Sequence, residues 1–304
     1  MSKITFQMAL TFMGAMLTLS SAGYAQDFKF TSIDFPGSAL TTARGINNHG
    51  DIVGAYVIEP PRHAMLLTKG MFIPLAPSSI LGRNYSEATN INDRGDIVGQ
   101  MVGDDGFFHG FVLSGGALTI LDFPGASDTY ALGISDSGRV AGYWDLLDAD
   151  GNTLGVHGFT WKNGDFTQVD FTGAAATALF GINARGDLAG VWLPDLNSAI
   201  EHGMACPKGG QCFSFEAPVE GTILTQGNEI NAHGQIVGVY IGLDDVWHAF
   251  LITGAKFISF DFPDGSGTGA YGINSAGQIV GKYFALDGST HGFLAEPTRK
   301  GKPH

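Results

Sequence analysis

The sequence predicts an all-β fold assembled from repeated four-stranded sheets, and three observations carry that expectation. A ten-residue string recurs six times, as GINNHGDIVG (Gly45–Gly54) and then within TNINDRGDIVG, GISDSGRVAG, GINARGDLAG, EINAHGQIVG and GINSAGQIVG. Its landmark residues, Asn47, Asn92, Ser135, Asn183, Asn231 and Asn274, follow one another at intervals of 43 to 48 residues, a period in the range of repeat architectures. Glycine makes up 45 of 304 residues and charged side chains only 15%, which suits short strands and tight turns over helices or disorder.

Each landmark opens a four-residue turn: NNHG, NDRG, SDSG, NARG, NAHG, NSAG. Asn or Ser at the first position caps the backbone, and Gly at the fourth takes the left-handed conformation that returns the chain in register. The string is therefore a β-hairpin, with a first strand such as TTARGIN and a second such as DIVGAYV. A third strand starts at a histidine followed by a small residue and Phe or Met, at His63, His109, His157, His202, His248 and His291. The fourth is an alternating run that often ends in Asp-Phe-Pro, and a terminal proline suits an outer strand that lacks a pairing partner.

Four strands per repeat make a blade, and the order of strands predicts how the blades join. The chain past its leader begins with a fourth-type strand, FTSIDFP, and ends after a third-type strand, HGFLAEP. The N-terminal strand therefore completes the last blade, and the expected fold is a six-bladed β-propeller of four-stranded blades, its ring closed by that strand. Small residues such as Ala43, Gly45, Ala131 and Gly133 place the first strand of each blade innermost, where the taper is tightest.

The first 25 residues read as a signal peptide, with one lysine, an apolar run from Ile4 to about Leu19 and a small-residue site ending at Ala25. The expected division is thus a signal peptide over 1–25, the propeller over 26–297 and a basic tail over 298–304, in a secreted or periplasmic protein with no membrane span after cleavage. Losing Lys3 with the leader makes the remainder one unit more negative than the whole chain's −13. That balance disfavours nucleic acid as a partner. Cys206 and Cys212, the two cysteines, flank PKGGQ and read as a disulfide across one hairpin.

With its third strand carrying the triplet His248-Ala249-Phe250, the repeat resembles that of the HAF-type extracellular repeat proteins, over about residues 28 to 296. The resemblance implies export and a β-rich repeat domain, and it implies no reaction or ligand.

Two faces follow from the strand order. The first-to-second and third-to-fourth turns share one face and are short; the second-to-third and fourth-to-first connections share the other and vary in length. Variable loops on a repeat scaffold are where specificity is written, so the candidate ligand contacts lie there. They are Asp104, Asp105 and Phe108 in one loop, Asp145, Asp148 and Asp150 in the next, then Asp195 and Glu201, then Asp244, Asp245 and Trp247, and last Asp287. LDADGN, Leu147–Asn152, has carboxylates spaced as in a calcium loop, but Thr153 and Phe159 stand where an EF-hand has Gly and Glu. An Asp-Gly turn is the favoured reading; no cofactor is assigned, and calcium is the one cation the segment admits.

The six repeated histidines suggest a metal ring only until distance is considered. A third strand stands about 15 Å from the axis at about 4.8 Å per strand, whereas zinc draws its ligands to about 2.1 Å. A structural role fits them, and no metal is assigned. The same reasoning assigns Tyr56, Trp144, Trp192, Tyr240 and Tyr283, two residues past each second-strand glycine, to blade packing. Gly267–Gly272 matches a dinucleotide fingerprint in letters but precedes a hairpin instead of a helix, and no GxSxG, HExxH or Walker loop occurs.

The functional expectation is a binding module that presents an acidic, aromatic-dotted face to a glycan or an extracellular protein. The alternatives are a polysaccharide-active propeller enzyme using carboxylates such as Asp145, Asp195 and Asp244, and a purely structural envelope or matrix protein.

Overall fold

The computed structural model describes residues 28–75 and 85–298. The expected signal peptide lies outside the described residues, as does the tail beyond Thr298. Among the described residues the regular structure is 24 β-strands and no helix.

The strands fall into antiparallel meanders of four. The first is β2 (Leu40–Ile46), β3 (Ile52–Val57), β4 (His63–Thr68) and β5 (Met71–Pro74), and the second β6 (Ser86–Ile91), β7 (Ile97–Val102), β8 (Phe108–Ser114) and β9 (Ala117–Leu121). Next come β10 (Asp128–Ile134), β11 (Val140–Leu147), β12 (Thr153–Lys162) and β13 (Asp165–Gln168), then β14 (Ala176–Ile182), β15 (Leu188–Leu193), β16 (His202–Cys206) and β17 (Phe213–Phe215). The fifth unit is β18 (Leu224–Ile230), β19 (Ile236–Ile241), β20 (Trp247–Thr253) and β21 (Lys256–Phe260). The last run is β22 (Gly265–Ile273), β23 (Ile279–Ala285) and β24 (Thr290–Pro297), and its fourth member is the N-terminal strand β1 (Phe28–Ile33). Thr31 pairs Leu294, Ser32 pairs Phe293 and Ile33 pairs Gly292, so the two ends of the chain share one sheet.

The recurring turn has the geometry its letters require. Asn47 Oδ1 accepts the N–H groups of His49 and Asp51, and Gly50 closes the turn at φ 81°. The amide of the same side chain donates to the next unit: Asn47 to the Asn92 carbonyl, Asn92 to Ser135, Asn183 to Asn231, Asn231 to Asn274, and Asn274 back to Asn47. A residue that seemed only to cap its own turn therefore also ties neighbouring units together. Ser135 has no amide, and among the described residues no side chain at this position ties the third unit to the fourth.

Packing explains why glycine sits in every second strand. A Cβ at Gly238 would lie 1.8 Å from the Gln226 carbonyl oxygen and 2.6 Å from the Phe250 ring, and Gly142 is equally crowded by the Tyr130 carbonyl oxygen at 1.9 Å and by Phe159. In four units the Phe of the His-x-Phe triplet fills that space, and Met65, Phe111, Phe159, Met204, Phe250 and Phe293 are all fully buried. Phe111, Phe250 and Phe293 lie in apolar clusters between successive sheets, for example Phe250 with Phe215, Ile230 and Ile236.

First strands contact one another in succession, β2 to β6, β6 to β10, β10 to β14, β14 to β18 and β18 to β22, and β22 also contacts β2. They are the inner strands, as the small side chains predicted. Each carries a β-bulge at the same place, at Arg44, Thr89, Leu132, Phe180, Asn228 and Tyr271. A bulge inserts one unpaired residue and re-aims its side chain. Among the described residues no sheet closes on itself as a barrel would.

Candidate functional site

The repeated histidines bind within their own sheets. His109 Nδ1 lies 2.6 Å from Asp122, His157 3.0 Å from Asp170, His248 2.8 Å from Asp261 and His291 2.6 Å from Asp34, while His202 pairs Glu216. The acid is that of the Asp-Phe-Pro ending, so the pair fastens the third strand to the end of the fourth. Its following Phe stacks on the second-strand aromatic of the next unit, as Phe123 on Trp144 at 4.6 Å and Phe262 on Tyr283 at 3.7 Å, and that aromatic also packs against its own unit's histidine, Trp144 on His157 and Tyr283 on His291. Both repeated features are packing devices. Cys206 and Cys212 are disulfide-bonded.

Most of the loop acids turn out to repeat as well. Asp105, Asp195, Asp244 and Asp287 each accept the N–H of the residue two positions on, which is an Asx turn. Asp148 does the same with Asp150 N–H and also accepts from Asn152, which makes LDADGN a capped hairpin turn. Asp105 and Asp244 use their exposed carboxylates again on His109 Nε2 and His248 Nε2. Asp104, Asp150 and Asp245 are exposed on the same turns. Among the described residues no group of three or more His, Cys, Asp or Glu side chains is placed to hold a metal.

Asp145 departs from this pattern, being buried opposite Asp128 in the β10–β11 pair. Burial, with Asp128 adding repulsion, pushes its carboxyl up to about 6, and its Oδ1 has no hydrogen-bond partner. Glu201 accepts from the Gln226 amide at 2.6 Å, and Phe108 packs between Tyr85 and Tyr130. Among the described residues, Asp145, Asp195 and Asp244 line neither of the inner cavities.

What does converge is the set of bulged residues. Arg44, Thr89, Leu132, Phe180, Asn228 and Tyr271 all line an inner cavity of about 290 Å³, together with Gln100, Tyr143, Gln226, Trp247 and Lys282. Trp247 alone of the expected contacts reaches it. Gln100, Tyr143 and Lys282 share a further repeat position, the residue after the second-strand glycine. The signal was in the sequence: these two columns change chemistry from unit to unit while their flanks stay constant.

Beside the cavity, outside its lining, charge is organised around Glu87, which is 1% exposed. Its carboxylate meets Arg44 at 3.1 Å and Arg62 at 3.3 Å and accepts from the Tyr85 hydroxyl at 2.9 Å. Burial would raise the Glu87 carboxyl, but Arg44 and then Arg62 outweigh it and hold the group below its ordinary value. Lys282 makes no ion pair among the described residues. Its ammonium lies 4.8 Å from the Trp247 ring centre, 5.0 Å from Phe284 and 5.8 Å from Tyr271. Burial, reinforced by Arg44, pushes that ammonium down to about 8. Of these charged groups Arg44 and Lys282 belong to the cavity wall.

The inner cavity has a floor. At the column where four units have Gly45, Gly133, Gly181 and Gly272, the second and fifth have Asn90 and Glu229, and the Asn90 amide donates to the Glu229 carboxyl. Only glycine fits beside this bridge: a Cβ at Gly45 would lie 2.7 Å from Asn90 Cα and one at Gly181 2.7 Å from Glu229 Cα. Burial pushes Glu229 up to about 8, against the N–H donors of Ile230 and Asn90. Beyond the bridge, a smaller space of about 70 Å³ is lined by the landmark asparagines.

No protein-family model and no curated protein matches the chain. Solved structures do. A gluconolactonase from Xanthomonas campestris superposes with TM-score 0.53 at 10% identity, over 92% of this chain and 94% of its own. The fucose-specific lectin of Aleuria aurantia gives 0.52 at 11% identity, over 90% and 98%. A neuraminidase-like protein from A/bat/Guatemala/164/2009 gives 0.51 at 13%, over 95% and 97%. These neighbours are β-propellers, and the likeness establishes that architecture for the chain.

Proposed function

We propose that the protein is an exported, six-bladed propeller of the HAF-type repeat family, its ring closed by β1, and that it binds a glycan in the inner cavity. Support for the ring comes from the β1–β24 pairing and from the amide ties that run from Asn274 back to Asn47. The observation that carries the binding reading is the composition of the cavity wall. Trp247, Tyr271 and Tyr143 supply aromatic rings of the kind that pack on the apolar face of a sugar, and Gln100, Gln226 and Asn228 supply amides suited to hydroxyls. An aromatic-walled pocket with a few placed polar groups is the usual form of a small-ligand site.

Glycoside cleavage needs two carboxyl groups flanking the scissile bond, and the cavity wall has none among the described residues. Binding is therefore favoured over the hydrolase alternative. The fold is also that of a fucose-specific lectin, which agrees with the reading without carrying it. A glycan array on the purified protein, followed by titration of the best hit, tests the proposal. Trp247→Ala and Tyr271→Ala should each weaken that hit at least about tenfold with an unchanged melting temperature. A silent array, or variants that bind like the parent, would refute it.

A further inference from the structure

The other face of the molecule holds a second cleft, unrelated to the inner cavity, and here the repeats serve as their own controls. In most units the residue after the landmark turn bonds to a residue on the neighbouring third strand. Asp51 accepts from Thr68 at 2.5 Å, Asp96 accepts from the Ser114 hydroxyl, Gln235 donates to Thr253 at 3.3 Å and Gln278 donates to Glu296 at 3.1 Å. In the third unit the same two positions are Arg139 and Lys162. The pairing of Val140 with Trp161 sets these two cations side by side, one step further along the ladder.

Like charges opposed across a strand pair destabilise a sheet. Among the described residues neither Arg139 nor Lys162 forms an ion pair: Lys162 stands opposite Asp165 in the β12–β13 ladder without pairing with it, and the Arg139 guanidinium reaches the Thr160 hydroxyl at 3.5 Å. The landmark has changed in the same unit, from Asn to Ser135. That change removes the amide that would cross to the fourth unit and leaves the Ser135 and Ser137 hydroxyls bonded to each other at 2.9 Å. Across the seam the fourth unit adds Arg185, which is committed to Asp187 at 2.6 Å, and Lys208, held out on the disulfide loop between Cys206 and Cys212. Ser135, Ser137, Arg139, Lys162, Arg185 and Lys208 line one cleft of about 470 Å³.

We infer that this cleft between the third and fourth units is an oxyanion-binding site for a phosphate, sulfate or carboxylate group. Arg139, Lys162 and Lys208 supply the charge, and Ser135 and Ser137 supply hydroxyl donors. The bound anion lies between two cations that would otherwise repel. Three cations without an ion pair among the described residues, in one cleft of a chain with net charge −13, make a local positive field there.

The test is thermal unfolding of the full chain in about 10 mM inorganic phosphate, sulfate or polygalacturonate against chloride at matched ionic strength, with isothermal titration of each. Phosphate or sulfate should raise the melting temperature by roughly 2–4 °C over chloride. A rise with polygalacturonate alone would identify the carboxylate as the preferred oxyanion. The variant Arg139→Asp/Lys162→Thr restores the pair found in the first unit. It should abolish the anion response and melt higher than the parent in chloride. Lys282→Met, in the inner cavity, should keep the full response. Equal melting of the parent in every salt, or a rise that survives Arg139→Asp/Lys162→Thr, would overturn the inference.

Discussion

The inner strands end in two openings built by opposite rules. At the turn end the landmark column is Asn in five units, and its amides tie unit to unit. At the loop end, three residues earlier on the same strands, the bulge column reads Arg44, Thr89, Leu132, Phe180, Asn228 and Tyr271, with no two alike. One opening is made of repetition and the other of departures from it. Positions that repeat hold the scaffold; positions that vary between constant neighbours are free to address a ligand.

The comparison breaks first if a repeated position proves dispensable. Gly238→Ala places a methyl group 1.8 Å from the Gln226 carbonyl oxygen and 2.6 Å from Phe250, and neither backbone nor buried ring can yield. A loss of about 4 kcal/mol in chemical denaturation is expected. A loss under about 1 kcal/mol would mean that the second strands are not locked as described.

The bridge that separates the two openings gives the next largest effect, and it depends on pH. Burial raises Glu229 from 4.5 to about 8, so between those values the folded state keeps a proton that the unfolded state releases. Stability should therefore fall as pH rises from about 4.5 to about 8, and be flat with respect to this group below that window. Glu229→Gln stays neutral and should be more stable than the parent at pH 8 by on the order of 3 kcal/mol, with little difference at pH 4. Denaturant midpoints across that range decide it; parallel curves for the two proteins would show that Glu229 is charged throughout.

Much of the fold was legible because repetition multiplies a weak local signal. One Asn-x-x-Gly turn is unremarkable, whereas six at a near-constant period fix strand order, turn chemistry and the pairing of the chain ends. The site was less legible for a physical reason. An inner strand with small residues reads as closely packed, and nothing in Ala43-Arg44-Gly45 announces that a bulge turns the arginine into the cavity. The loop acids misled in the opposite direction: lying on loops of unequal length they seemed variable, yet Asp105, Asp195, Asp244 and Asp287 perform one repeated turn-capping task. Asn90 and Glu229 were visible as exceptions in a glycine column, but only the fold brings the second and fifth units face to face.

The landmark asparagines offer a smaller and more graded test. Asn231→Ala removes a side chain that caps His233 and Gln235 through Oδ1 and donates to the Asn274 carbonyl across the seam. About 2 kcal/mol should be lost, half from the turn and half from the tie. Asn231→Ser, which imitates Ser135, keeps part of the cap and should lose only the second half. Equal losses from the two substitutions would assign the whole effect to one of the two bonds.

The smallest effect expected comes from the histidines, the most regular feature of the sequence. Burial lowers His248, but Asp261 and Asp244 outweigh it and raise the imidazole above 6.5. The stabilisation from this pair is then fully present below pH 6.5 and is lost as pH rises through the raised value. Both acids are well exposed, at 42% and 54%, so solvent screens the pair and Asp261→Asn should cost less than about 1 kcal/mol at pH 5 and nothing at pH 9. The first unit already performs part of this experiment: its sequence has Ala76 where other units have the acid, and among the described residues buried His63 Nδ1 has no hydrogen-bond partner. His63 stands tilted at 46° to Tyr56 with ring centres 5.9 Å apart, whereas His248, which has its acid, stacks on Tyr240 at 26° and 5.1 Å, so the acid helps to hold the imidazole parallel to the second-strand aromatic. A His248 titration that did not move in Asp261→Asn would show that Asp261 does not hold the ring.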